Sequence, residues 1–147
     1  MVLQVKSLED ISWNNSLSVG VDLIDEQHKM LIERINNLSK AVAKYMGHTK
    51  IIETLIFMTE YTDFHFSTEE RYMKELDYPA RDNHLKQHEE FKSMLRTLEE
   101  DFKEDGATKV VSKSINTFLG NWLINHIKVV DVNFGRFLRD KGITMVE

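Results

Sequence analysis

Four stretches of the chain carry a stripe of inward-facing positions at alternating steps of three and four residues, the spacing of a helix facing a bundle interior. Ile24, His28, Leu31, Ile35, Leu38, Val42 and Tyr45 mark the first. Ile51, Leu55, Met58, Thr62, His65, Glu69, Tyr72 and Leu76 mark the second. The third runs His84, His88, Phe91, Leu95, Leu98, Phe102. The fourth runs Leu119, Leu123, His126, Val130, Phe134, Phe137, preceded by Val111 and Ile115. The breaks are short: "MGHT" (46–49), "DYPA" (77–80) with the only proline, and "EDGAT" (104–108). Short connections make successive helices antiparallel neighbours, so the pattern predicts an all-α, up-down-up-down antiparallel four-helix bundle over residues 21–140. Residues 1–20 lack the period and are expected to form an N-terminal arm anchored by Trp13 and Leu17. Residues 1–147 are expected to be one domain.

The stripes hold residues that do not belong in an apolar core. Five of the six histidines, and Glu69, stand where leucine or isoleucine is expected. Burying them costs several kcal/mol unless each finds a partner. In an antiparallel bundle the start of helix one, the end of helix two, the start of helix three and the end of helix four share one end. At a rise of ~1.5 Å per residue, His28, His65, Glu69, His84, His88, His126 and Asp131 fall at one level, roughly 10 Å in. His65/Glu69 and His84/His88 are four apart and share a face, so each pair can reach one centre. His126 and Asp131 are five apart, a step that an ideal helix splays by about 140°. That pair needs a local distortion or a sideways-reaching carboxylate. His48, at the opposite end beside Gly47, is expected to be a solvated loop residue.

Taken singly, a core histidine is more often structural than a ligand, and His65/Glu69 alone could be a hydrogen-bonded pair. Convergence from four helices favours metal ligation. Five nitrogens and two carboxylates exceed the four ligands zinc prefers. They suit two octahedral ions bridged by carboxylates, and nitrogen-rich ligation favours iron or a similar transition metal.

Composition narrows the chemistry further. The chain has no cysteine, which removes disulfides, thiolate catalysis and iron–sulfur clusters. A net charge of −5 with no basic face argues against nucleic acid as a partner. No stretch approaches a membrane span and no signal peptide is visible, so a cytoplasmic location without membrane insertion is expected.

The pattern His28, His65-x-x-x-Glu69, His84-x-x-x-His88, His126-x-x-x-x-Asp131 resembles the hemerythrin family. "ISWNNSLSVGVDLIDEQHKML", "HFSTEERYM" and "NHIKVVDVNFGRFL" are similar to its bacterial branch. The resemblance implies a non-haem di-iron centre with an oxo or hydroxo bridge. It implies His84, His88 and His126 on one iron and His28 and His65 on the other, with Glu69 and Asp131 bridging. The second iron would keep a position open for O2. Leu123, one turn before His126, would form the wall of the O2 pocket, with Ile24, Tyr61, Phe66 and Ile127 flanking. An apolar pocket with no spare acid or base implies reversible binding rather than enzymatic turnover, for oxygen carriage, storage or delivery to an oxygen-using enzyme. One alternative is a di-iron oxidase or peroxidase, whose carboxylate-rich Glu-x-x-His motifs the sequence lacks. Another is an O2-sensing domain fused to a signalling protein.

Overall fold

The computed structural model describes residues 11–44, 46–106 and 114–146. Tyr45, Val111, the first ten residues and the last two of "EDGAT" lie outside the described residues. Three long helices, α1 (Asp22–Ala43), α2 (His48–Glu75) and α3 (Arg81–Asp105), are followed by a fourth rod, α4, over 114–140. That rod alternates geometry: π-helical Ser114–Gly120, α-helical Asn121–Asn125, π-helical His126–Asp131 and α-helical Val132–Asp140. Among the described residues there is no strand. α1 packs on α2, α2 on α3, and α4 on both α3 and α1, closing the four-helix bundle. No described helix is long and apolar enough to cross a membrane.

The stripes point inward as their spacing requires. Ile24, Leu31, Ile35, Leu38, Ile51, Leu55, Met58, Phe91, Leu95 and Leu119 are all buried. Each such side chain contributes about 1.5–3 kcal/mol by leaving water. Thr62, an apparent polar fault in the second stripe, satisfies its hydroxyl by donating to the Met58 carbonyl one turn back (2.8 Å). Two stripes drift at the end that holds the histidines. Tyr72 and Leu76 are only half-buried, and Met73 takes the inner place four residues after Glu69. On α4, Val130 and Phe137 are half-buried, whereas Ile127, Asp131 and Leu138 are buried. The π-helical turn explains the α4 drift, because it advances the inward face by one residue.

Both ends are built by specific contacts. Gly47 has φ +97°, a backbone region that disfavours side chains, and α2 starts on the next residue. His48 is therefore not in a loop: it is exposed, but it is the first residue of α2 and stacks on Phe102 (centroids 4.9 Å apart). At the other end Tyr78, in the α2–α3 turn, packs against Phe134 and Phe137 at 5.0 and 4.8 Å.

The arm is anchored more extensively than Trp13 and Leu17 suggest. Leu17, Val19 and Val21 are buried, and Trp13 is partly buried beneath the Lys29 ammonium. Asn36 clasps the Ile11 backbone, accepting from its N–H and donating to its carbonyl. Asp25, in the first turn of α1, accepts from the Val19 N–H (2.9 Å) and the Ser18 hydroxyl (2.6 Å). The arm crosses α4 at Gly135, where an added Cβ would lie 2.4 Å from the Val19 carbonyl oxygen.

Candidate metal centre

All seven polar residues singled out in the sequence, six on the stripes and Asp131 beside the fourth, meet at one level of the bundle, each nearly or wholly excluded from solvent. α1 brings His28, α2 brings His65 and Glu69, α3 brings His84 and His88, and α4 brings His126 and Asp131. Side chains four apart on α2 and on α3 project together, as one helical face requires. The five-residue step on α4 is bridged by a π-helical turn. The Val132 N–H reaches back five residues to the Ile127 carbonyl, and Asp131 swings inward beside His126.

The two carboxylates divide their oxygens between two sets of imidazoles. Oε1 of Glu69 lies 3.4 Å from His84 Nε2 and 3.2 Å from His88 Nε2, while its Oε2 lies 3.6 Å from His65 Nε2. Oδ1 of Asp131 faces His84 and His126 at 3.0 and 3.2 Å, and Oδ2 faces His28 at 2.9 Å. Two overlapping donor groups result. Glu69, His84, His88, His126 and Asp131 form one; His28, His65, Glu69 and Asp131 form the other, with ligand atoms in each within 4.8 Å of one another.

A fixed hydrogen-bond network would leave few of these atoms without a partner. Here the five Nε2 atoms and all four carboxylate oxygens are buried, and none has a hydrogen-bond partner among the described residues. The short N···O separations bring these atoms together without a satisfied hydrogen bond at any of them. Such a set of orphaned buried atoms would be severely destabilising alone, and its donors could hold a metal ion. The donor types, imidazole and carboxylate without sulfur, fit a first-row transition metal.

Electrostatics follow the same division. Burial pushes the His65 imidazole down to about 4. Burial also lowers His84, but the Asp131 and Glu69 carboxylates more than offset it and hold His84 up at about 10. His28 is raised likewise, burial being outweighed by Asp131 and Glu69. Burial and mutual repulsion would raise the two acids; the surrounding imidazoles hold both below the usual carboxylate range.

A second ring of residues, absent from the sequence expectations, holds the outer nitrogens. Gln27 Oε1 lies 2.7 Å from His65 Nδ1, Glu70 Oε2 lies 2.8 Å from His88 Nδ1, and Gln87 Oε1 lies 2.9 Å from His126 Nδ1. Each contact places the proton on Nδ1 and leaves the Nε2 lone pair for the centre. The available signal was a polar residue directly beside an inward one: Gln27 precedes His28, Glu70 follows Glu69 and Gln87 precedes His88. Such a neighbour sits about 100° around its helix and faces the adjacent rod. Ring planes are fixed as well. Phe66 stacks on His88 (3.7 Å, 5°) and Trp122 on His126 (4.5 Å, 12°). Leu123, Ile24, Phe66 and Ile127 are all buried. Tyr61 is half-buried, packs against the edge of the core, and also meets Phe64 and the Arg34 guanidinium.

Residues 19–136 match the family model described as the hemerythrin HHE cation-binding domain. The chain belongs to the hemerythrin family. It is 34% identical over 116 residues to the bacteriohemerythrin of Stenotrophomonas maltophilia (strain R551-3), covering 79% of this chain and 73% of that protein. It is 30% identical to the myohemerythrin of Theromyzon tessulatum over 126 residues, 86% of this chain and 92% of the relative. A crystal structure of wild-type hemerythrin superposes with a TM-score of 0.75 at 25% identity, covering 86% of this chain and 95% of that one. The hemerythrin match thus takes in the part of the chain that brings all seven polar residues to the centre.

Proposed function

We propose that this chain binds dioxygen reversibly at a non-haem di-iron centre, for carriage, storage or delivery. One observation carries the reading: the two oxygens of each buried carboxylate face different imidazole sets. On this assignment His84, His88 and His126 would hold one iron, His28 and His65 would hold the other, and Glu69 and Asp131 would be shared between them. The second donor group has one protein residue fewer, which would leave room for an exogenous ligand. When bound, such an iron pair would supply the two electrons that reversible dioxygen binding needs.

The chain's own residues set the conditions. Gln27, Glu70 and Gln87 hold the Nδ1 protons and orient three imidazoles. Leu123, Ile24, Ile127 and Phe66 exclude water around the ligands, with Leu123 as pocket wall one turn before His126. A centre screened from proton donors favours release of intact dioxygen over O–O cleavage, which supports a binding protein rather than an enzyme. A single hemerythrin-like domain with an N-terminal arm, whose described part crosses α4 at Gly135, and a cytoplasmic location complete the proposal. A downstream oxygen-using enzyme and a signalling fusion are the two partner classes it accommodates.

The test is direct. The iron-loaded protein is reduced anaerobically, opened to air, then evacuated. Visible charge-transfer bands should appear in air and fade under vacuum over repeated cycles, with two irons per chain. Bands that form once and leave a permanently diferric centre would refute reversible binding.

A further inference from the structure

The outer nitrogens of the five imidazoles are not held alike. His65 and His126 each meet a neutral amide, from Gln27 and Gln87. The Nδ1 atoms of His28 and His84 have no hydrogen-bond partner among the described residues. His88 alone has a carboxylate there, Glu70, at 2.8 Å. Its ring is clamped flat against Phe66 and its Nε2 points at Glu69 Oε1, so the contact is locked from three directions. This asymmetry falls between the two donor groups. The three-imidazole group carries the anionic partner, and the two-imidazole group has only an amide.

We propose that Glu70 is a positioning residue that poises the potential of the centre, making the three-imidazole iron the harder of the two to reduce. The inference rests on the di-iron reading above. A carboxylate that accepts the Nδ1 proton pushes electron density through the ring to Nε2, which strengthens donation to the metal. It also adds a full negative charge on the far side of the ligand, and both effects favour the ferric over the ferrous ion. The amides of Gln27 and Gln87 fix orientation without adding charge. The Glu70 side chain is 28% exposed, so solvent weakens its effect but does not cancel it.

Glu70→Gln tests this, because it keeps an acceptor at His88 and removes only the charge. Spectroelectrochemical titration of the iron-loaded variant should show the ferric-to-ferrous ratio at fixed potential falling about tenfold, a shift of about 59 mV upward for a one-electron couple. Iron content should stay at the wild-type value. Gln87→Glu should move the potential the other way. Glu99→Gln, an exposed pair with Lys103 on the same helix, should leave it unmoved. An unchanged potential in Glu70→Gln, or an equal shift in Glu99→Gln, overturns the inference. If Glu70→Gln does not retain iron, Gln87→Glu decides: a lowered potential supports the inference, and an unchanged or raised one overturns it. Wild-type protein that holds no iron pair would sink the di-iron reading itself. Normal oxygenation with unmoved potentials would sink only the role of Glu70.

Discussion

Deleting a residue from the π-helical turn of α4 should preserve the metal centre, whereas adding one should destroy it. In an α-helix residues five apart are separated by about 140° and residues four apart by about 40°. The turn His126–Asp131 is hydrogen-bonded five residues back, so its five-residue step does the work of a four-residue step in an α-helix. Val129, in the middle of this turn, is 62% exposed and contributes little to the core. Removing it converts the segment to plain α-helix and leaves the histidine and aspartate on one face. Phe134 and Leu138, both fully buried, keep their inward direction. Inserting an alanine after Val129 instead turns the aspartate and everything beyond it by roughly 100°. Expelling Phe134 and Leu138 from the core then costs ~3–6 kcal/mol together. His28, His84 and His126 also lose the Asp131 carboxylate they face. Elemental analysis and denaturant melts measure both effects. The deletion variant should bind iron at the wild-type ratio with near-native stability, and the insertion variant should bind little and unfold early. Loss of iron on deletion together with retention on insertion would refute the register argument.

Three further outcomes are expected. Gly135→Ala gains about 1 kcal/mol of helix propensity but drives a Cβ to 2.4 Å from the Val19 carbonyl, where overpacking costs about 1–3 kcal/mol. The melting temperature should fall, and a rise would show that the arm yields freely. Leu123→Ala removes a buried side chain beside His126 and should cost about 2–5 kcal/mol while speeding autoxidation, read as the decay of the oxygenated spectrum. Iron(II) loading should release protons at pH 7, because the Asp131 and Glu69 carboxylates, outweighing burial, keep His84 protonated up to about 10 until a metal displaces its proton. The sign is therefore tighter binding as pH rises and weaker binding as it falls. Anaerobic pH-stat titration that detects no proton release would contradict this.

Helix periodicity was enough to read the four-helix bundle and to pick out the residues that meet at the centre. Both depend on local repeats. A period of 3.6 assigns each residue to a face whatever its neighbours do, and short breaks force consecutive rods to run antiparallel. His28, His65, His84 and His88 needed nothing more. For Asp131 the five-residue spacing announced a distortion, but its form was not local: a straight helix would bury Val130, and packing of Phe134, Leu138 and Asp131 selects the π-helical turn.

Other features were settled only in three dimensions. Gln27, Glu70 and Gln87 lie 38, 18 and 39 residues from the histidines they hold. The partition of each carboxylate between two imidazole sets depends on how far each rod is rotated about its axis. Sequence periodicity defines a helix face to within tens of degrees. A hydrogen bond requires alignment to a few tenths of an ångström, and only the packing of one rod against another provides that.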